Sequence, residues 1–282
     1  MRPECASAES CRRIARRDEV KRAGGYRRLW VFDFDGTLSP LVPDRNDARL
    51  HPASRSLVKE LAADPWNLVA VLSSRSLEDL APRVPVPGLF LGGGSGLEWR
   101  LPTGHRISPG GVAERKLEEA RKAVSPSLAR ISAFPGVELE DKRWSAAVHF
   151  RRVLPEALSM LVPLIRELKD HPGIRVFEGP SVAEVQFFPS VNKSFGIRRL
   201  CRILEFDPSG GRILYAGDDE NDAMAMKWVI SRKGTAIAVG SRVRVPGVLI
   251  VDGPADLARA VRTLSGPAGQ GRAAMERGSM DR

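Results

Sequence analysis

Trp30-Val31-Phe32-Asp33-Phe34-Asp35-Gly36-Thr37-Leu38, WVFDFDGTL in one-letter code, is the stretch whose reading decides the fold. Leu29 to Phe32 is a short apolar run of the kind that forms a strand buried on both faces. It stops at two acids, Asp33 and Asp35, one residue apart. Side chains alternate along an extended chain, so both carboxylates lean to the same side of the strand end. Buried there, they are costly unless a cation satisfies them. Magnesium fits, because it takes one or two carboxylates together with phosphate oxygens of a substrate. Asp-Gly is also the commonest tight-turn pair, so a hairpin competes with this reading. The rest of the chain has to decide between them.

Downstream, β and α signals alternate. A helix is predicted over Pro52–Ala63, and a second buried strand over Asn67–Leu72 that ends at Ser73-Ser74-Arg75. A short helix follows, capped by Ser76. A third strand is predicted at Gly88–Leu91, running into Gly92-Gly93-Gly94-Ser95-Gly96, and Leu97–Leu101 pairs with His105–Ile107. Such alternation predicts a parallel sheet with helices on both faces. The pattern then breaks: a helix over Val112–Ile131, two strands within Val137–Arg151, a helix over Glu156–Lys169, and a hairpin of Ile174–Glu178 with Val182–Phe188 across Gly179-Pro180. Helix, two strands, helix, two strands predicts a small antiparallel sheet covered on one side. Trp144, Ala146, Val148 and Phe150 share its apolar face, with Ser145, His149, Arg151, Glu184 and Gln186 on the other. The βα rhythm returns with a helix from Lys193 to about Leu204 and a strand over Arg212–Ala216, which ends in Gly217-Asp218-Asp219-Glu220-Asn221-Asp222. A helix to about Val229, strands at Thr235–Val239 and Val248–Val251, and a helix over Ala255–Leu264 complete it. The fold class is therefore α/β, a Rossmann-like parallel-sheet core with an inserted α+β cap. Residues 26–109 and 190–265 form the core, 110–189 the cap, 1–25 a flexible basic extension and 266–282 a disordered tail.

Composition narrows the function classes. With 282 residues and 43% hydrophobic content the chain can build a proper core, and no apolar run approaches the ~18 residues of a membrane helix. Cys5, Cys11 and Cys201 read as reduced thiols of a cytoplasmic protein. The net charge of +10 invites a nucleic-acid partner, but residues 1–28 hold nine Arg or Lys against four acids, half of the excess. No aromatic residues interleave with basic ones elsewhere as a stacking platform needs. The reading is a monomer or weak oligomer, with neither nucleic acid nor membrane as partner.

Four polar clusters sit at strand ends or helix starts of the βα portion: Asp33/Asp35, Ser73, Lys193 and Asp218/Asp219/Asp222. Each has a plain alternative, since acids cap helices, lysines are solvated and serines form turns. In an open α/β sheet, however, the functional crevice lies at the carboxyl ends of the strands, where the four can converge. Together they supply an acidic metal cradle, a hydroxyl donor, an ammonium and a nucleophile, the parts of a phosphoryl-transfer site.

The order DxDGT, Ser, Lys, GDDxxD resembles the haloacid dehalogenase superfamily of phosphatases, and the cap between the second and third motifs is similar to its sugar-phosphatase branch. More narrowly, FDFDGTLSPLVP, VAVLSSRSLEDL, GSGLEWRLPTG, PGVELEDKRWSAAVHFR and NKSFGIRRL resemble the trehalose-6-phosphate phosphatases, over about residues 29–264. The resemblance implies that Asp33 is the nucleophile that becomes an aspartyl phosphate, and that Asp35 is the general acid and base. It implies further that Ser73 and Lys193 hold the phosphoryl group, and that Asp218, Asp33 and the Asp35 carbonyl hold magnesium, with Asp219 and Asp222 as supporting acids. In the cap, Lys142, His149, Arg151 and Glu184 match polar positions near the family's sugar. The implied reaction is magnesium-dependent hydrolysis of trehalose 6-phosphate. Another glycosyl phosphate is the nearest rival; a nucleic-acid 3′-phosphatase or a phosphate-binding module without turnover is more remote. The chain departs from the family pattern at Ser74 (usually Gly), Ser95 (often His), Phe188 (a basic residue before proline) and Asn221 (commonly Thr).

Overall fold

The computed structural model describes residues 28–179 and 181–265. The basic extension at 1–25, the tail at 266–282 and Pro180 of the hairpin lie outside the described residues. An eight-stranded sheet, in the spatial order Leu249–Val251, Thr235–Val239, Ile213–Gly217, Arg28–Phe32, Asn67–Leu72, Phe90–Gly93, Glu98–Arg100 and Arg106–Ile107, forms the core, and a four-stranded sheet, in the order Glu138–Asp141, Ser145–His149, Val182–Gln186 and Arg175–Gly179, forms the cap.

The core strands are β1 (Arg28–Phe32), β2 (Asn67–Leu72), β3 (Phe90–Gly93), β10 (Ile213–Gly217), β11 (Thr235–Val239) and β12 (Leu249–Val251), all parallel, extended by antiparallel β4 (Glu98–Arg100) and β5 (Arg106–Ile107). Their alternating side chains feed two separate apolar layers. Trp30, Phe32, Val69, Val71 and Leu214 pack against Leu57, Val58 and Leu61 of helix α1 (Pro52–Ala63), Leu77 and Leu80 of α2 (Leu77–Arg83), and Leu257 and Val261 of α7 (Pro254–Ser265). Leu29, Val31, Leu68, Leu72 and Tyr215 pack against Ile197 and Leu200 of α5 (Lys193–Ile203), and Met226 and Val229 of α6 (Glu220–Ser231). Each of these fully buried aliphatic side chains contributes about 1.5–3 kcal/mol, which is why the central strands read as unbroken hydrophobic runs.

The third strand differs from the sequence expectation. It runs over Phe90–Gly93 rather than Gly88–Leu91, so two glycines expected to follow the strand lie inside it and are buried. A Cβ on Gly92 would stand 2.8 Å from the Trp99 ring, and one on Gly93 would stand 2.4 Å from the Leu77 amide nitrogen. They are glycines because neighbours approach, not because the chain turns.

The cap comprises helix α3 (Gly111–Ser132), β6 (Glu138–Asp141), β7 (Ser145–His149), α4 (Pro155–Glu167), β8 (Arg175–Gly179) and β9 (Val182–Gln186). Trp144, Ala146, Val148, Ala183 and Val185 form its apolar face, covered by Leu117, Val124 and Leu128 of α3 and Leu161 and Ile165 of α4. The opposite face, carrying Ser145, Glu184, Gln186 and Phe177, turns toward the core, where those residues line clefts that they share with Ser74 and Ser95.

Candidate active site

Parallel register brings three strand ends together. Phe32 of β1 stands opposite Val71 of β2 and Ala216 of β10, so the residues that follow, Asp33, Ser73 and Asp218, emerge on one edge of the sheet. Helix α5 starts at this edge, with the Asn192 side chain accepting from the Phe195 amide at 3.1 Å to cap it, and Lys193 occupies its first turn. Helix α6 starts beside it through a capping box in which Asp219 is the cap and Asp222 reaches back.

Lys193 is the electrostatic centre. Only 5% exposed, its ammonium lies 2.8 Å from Asp33 Oδ1 and 2.6 Å from Asp222 Oδ1. Asp222 is fully saturated: Lys193 and the Tyr215 hydroxyl donate to Oδ1, and the Asp218 and Asp219 amides donate to Oδ2 at 2.9 and 3.1 Å. Burial opposes its charge, but Lys193 and these donors outweigh burial and hold Asp222 below the usual carboxylate range. Its task is to anchor Lys193 and the Asp218-Asp219 turn.

Asp33 and Asp218 are in the opposite condition. Burial pushes Asp33 well above the carboxylate range, with Lys193 opposing and the neighbouring acids adding to the rise. Burial likewise pushes Asp218 up to about 7. Oxygens of Asp33, Asp218 and Asp222 all lie within 4.8 Å of one another. Because Asp222 is already saturated, Asp33 and Asp218 are the buried oxygen donors left for a hard cation, and that donor set fits magnesium. Gly36 makes the cradle possible: at φ 75° it passes so close to Asp218 that a Cβ would fall 2.2 Å from Oδ2.

Asp35 has a partner that the sequence did not announce. Arg75, 3% exposed, donates from Nε and Nη2 to the two oxygens of Asp35 at 2.7 Å each. The same guanidinium reaches Asp79 at 2.6 Å and the Arg45 carbonyl at 2.9 Å. Burial alone would depress it, but these carboxylates raise Arg75 above its usual value. Arg45 continues the chain of charges to Asp79 and across to Glu140 of the cap. Ser73 Oγ accepts from the Arg75 amide at 3.1 Å, which leaves the hydroxyl proton free to donate.

A cleft of about 410 Å³ opens over these groups, lined from the core by Asp33, Asp35, Lys193, Asp218 and Asp219 and from the cap by Glu184, Gln186, Arg175 and Phe177. Of the cap residues expected near a sugar, Glu184 is in the cleft, with its oxygens accepting from Lys142 Nζ at 3.0 Å and Ser145 Oγ at 3.2 Å. Lys142 thus arrives through Glu184. His149 and Arg151 do not join them. His149 pairs with Glu140 at 3.0 Å, and burial together with Lys142 and Arg45 holds the imidazole below its usual range. Arg151 lies in the turn after β7 and is exposed; the strand ends at His149, beyond which alternation no longer fixes a face.

Arg75, Tyr215, Arg175 and Phe177 were not among the site residues expected from the sequence. A tyrosine inside a buried strand signals a buried partner for its hydroxyl. Arg75 gave no comparable signal, since its carboxylate partner is 40 positions away.

A family model described as trehalose-phosphatase matches residues 31–246. A trehalose-phosphate phosphatase of Mycobacterium bovis is 33% identical over 214 residues, 74% of this chain and 52% of that protein. Its counterpart in Mycobacterium avium is 34% identical over 195 residues, 68% of this chain and 48% of that protein. The chain thus spans about half the length of the curated relatives it matches. Among solved structures, a trehalose-6-phosphate phosphatase related protein superposes with a TM-score of 0.67 at 20% identity, covering 84% of this chain and 96% of that one. The C-terminal domain of the C. albicans trehalose-6-phosphate phosphatase superposes with a TM-score of 0.63 at 21% identity, covering 91% and 96%. At those identities the structures speak for the fold alone, and it is the same fold. The breadth of the family match over the strand ends that carry the polar clusters makes the assignment: the chain belongs to the trehalose-phosphatase family.

Proposed function

We propose that the protein is a magnesium-dependent phosphatase that hydrolyses trehalose 6-phosphate to trehalose and phosphate. The observation that carries the reading is the convergence of Asp33, Asp35, Lys193 and Asp218 on one cleft whose other wall is the polar face of the cap.

In the first half-reaction an oxygen of Asp33 attacks phosphorus, and the bond to the sugar oxygen breaks. The Lys193 ammonium, 2.8 Å from Asp33 Oδ1, fixes the carboxylate so that one oxygen is held and the other is presented. The departing sugar oxygen is a poor leaving group and takes its proton from Asp35. Arg75 occupies one lone pair on each oxygen of Asp35, so a second pair on each is left for the proton it exchanges. The Ser73 hydroxyl and Lys193 offset charge on the phosphoryl oxygens. In the second half-reaction Asp35 takes a proton from water, which attacks the aspartyl phosphate and releases Asp33. Asp33, Asp218 and the Asp35 carbonyl would hold magnesium, which would supply positive charge to keep the buried acids ionised and to offset the negative charge of the phosphate.

A second reading, another glycosyl phosphate, is favoured by one observation: Ser74 and Ser95, where the chain departs from the family pattern, both line the cleft. A panel of sugar phosphates offered to the purified protein separates the two. Trehalose 6-phosphate should lead by at least ~10-fold in kcat/KM, a difference of about 1.4 kcal/mol in transition-state binding. EDTA should stop turnover and magnesium restore it. Preference for a different glycosyl phosphate would overturn the substrate, and metal-independent hydrolysis would overturn the cradle.

A further inference from the structure

One arginine of the catalytic cleft is unspent. Arg242 lies in the loop after β11, the strand that pairs in parallel with β10, whose end carries Asp218. That loop is anchored on both sides of the arginine. The Gly240 amide donates to the Val251 carbonyl at 2.7 Å, and Val243 and Val245 are buried in the same apolar layer as Ala238 and Met226. Arg242 and Arg244 are left on the exposed side. Arg242 borders the cleft together with Asp33, Lys193 and Asp218, whereas Arg244 does not. The Arg242 guanidinium stands 3.8 Å from Asp218 Oδ2, near enough for attraction but beyond hydrogen-bond reach. It is 59% exposed and has no hydrogen-bond partner among the described residues. Arg75, by contrast, spends its donors on Asp35, Asp79 and the Arg45 carbonyl. Arg242 therefore keeps five N–H donors in a planar fork, a geometry that matches a phosphate.

We propose that Arg242 binds the phosphoryl group of the substrate, and that its place beside Asp218 makes it a competitor of the cation Asp218 would hold; the proposal rests on the phosphatase reading. A phosphate monoester brings two negative charges into the cleft. Lys193 shares its charge between Asp33 and Asp222 and does not offset both. A guanidinium with free donors at the same cleft supplies the second cation. Near Asp218 the same positive charge lowers the attraction of that carboxylate for a metal ion. Removing Arg242 should therefore strengthen magnesium binding and weaken phosphate binding. The two effects have opposite signs, which a general loss of structure does not produce.

Arg242→Gln, Arg242→Lys and Arg244→Gln in the full chain test this, read first by calorimetry without turnover. Magnesium chloride alone should bind Arg242→Gln ~2- to 5-fold tighter than wild type, the scale of one partly exposed charge pair. Inorganic phosphate offered to the magnesium-loaded protein should bind that variant ~10-fold more weakly, the scale of a lost charge-assisted contact. Arg242→Lys should restore the magnesium value and only part of the phosphate affinity, because an ammonium lacks the fork. Arg244→Gln removes the same charge from the same loop outside the cleft and should change either affinity less than ~2-fold. In Arg242→Gln, kcat/KM for trehalose 6-phosphate and 4-nitrophenyl phosphate should fall by one common factor of ~10, since both carry the phosphoryl group. Phosphate affinity unchanged in Arg242→Gln would reduce the residue to a counter-ion of Asp218 and overturn the phosphate contact. A loss matched by Arg244→Gln, or confined to trehalose 6-phosphate, overturns it too. Magnesium affinity unchanged or weakened overturns the competition. Wild-type protein that binds no phosphate with magnesium present overturns the phosphatase reading itself, and this proposal with it.

Discussion

The two walls of the cleft are built differently. On the core wall the side chains proposed for the chemistry are tied into buried networks. Lys193 is fixed between Asp33 and Asp222, Asp222 by the Tyr215 hydroxyl and two amides, and Asp35 by both arms of Arg75. On the cap wall the polar residues hold one another. Glu184 pairs with Lys142 at side-chain exposures of 21% and 12%, and His149 pairs with Glu140. A fully satisfied buried network defines positions to within fractions of an ångström, as chemistry requires. Glu184 borders the cleft, where its carboxylate has lone pairs left to accept from the hydroxyls of a ligand. The networked acids and lysine of the core wall should therefore be indifferent to the sugar, and Glu184 of the cap wall indifferent to the chemistry.

The largest effect lies on the core wall. Asp33→Asn should lower kcat by at least ~10³, because an amide cannot become an acyl phosphate. The loss should be the same for trehalose 6-phosphate and 4-nitrophenyl phosphate. Thermal unfolding should show a Tm unchanged or raised, since the neutral amide removes a carboxyl whose charge burial already disfavours. Activity near wild type would remove Asp33 as nucleophile. A loss confined to the sugar substrate would break the division between the walls.

The cap wall should show the reverse pattern. Glu184→Ala should lose ~10- to 1,000-fold in kcat/KM for trehalose 6-phosphate, the scale of one or two hydrogen bonds to a charged group. Hydrolysis of 4-nitrophenyl phosphate should barely change. The Glu184–Lys142 pair offers a competing explanation, that the carboxylate serves the cap alone. Lys142→Ala separates them: a purely structural pair makes the two variants equally deficient on both substrates.

How much of this the sequence disclosed follows the same line. The order of strands and helices, the insertion of a second sheet and the convergence of Asp33, Lys193 and Asp218 on one cleft were legible, because buried parallel strands write themselves as apolar runs and strand ends are where polar residues collect. Legibility failed where meaning depends on a neighbour distant in sequence. Gly92 and Gly93 look like turn residues until Trp99 and Leu77 are seen pressing on them. Arg151 falls on the polar face if β7 is extended by two residues, but the strand stops at His149. Arg75 carries no local mark of its bond to Asp35. The cap was read less well than the core because alternation gives a face but not a partner.

The smallest effect tests the supports of the core wall, one step from the chemistry. Asp79, on α2, holds Arg75 at 2.6 Å and Arg83 at 2.8 Å. Burial would raise its pKa, but hydrogen bonds from Arg83 and Arg75 outweigh burial and hold the carboxyl down at about 2. A folded-state pKa depressed below the unfolded value of ~3.9 stabilises the protein above that value and ceases to do so as pH falls toward 2. Asp79→Asn should therefore cost about 1–2 kcal/mol at pH 7, an allowance that discounts for solvent screening of a partly exposed carboxylate. Measured against wild type by denaturant unfolding, the deficit should be constant from pH 7 to about 5 and shrink steadily from about 4 to 3. Arg75 keeps Asp35 and the Arg45 carbonyl in this variant, so kcat should fall only ~2- to 5-fold, and by the same factor for sugar and aryl phosphates. A deficit that grows as pH falls would reverse the sign of the linkage and remove Asp79 as an ionised support. A fall in kcat confined to trehalose 6-phosphate would place Arg75 in sugar recognition instead, and the two walls would no longer be separable at that residue.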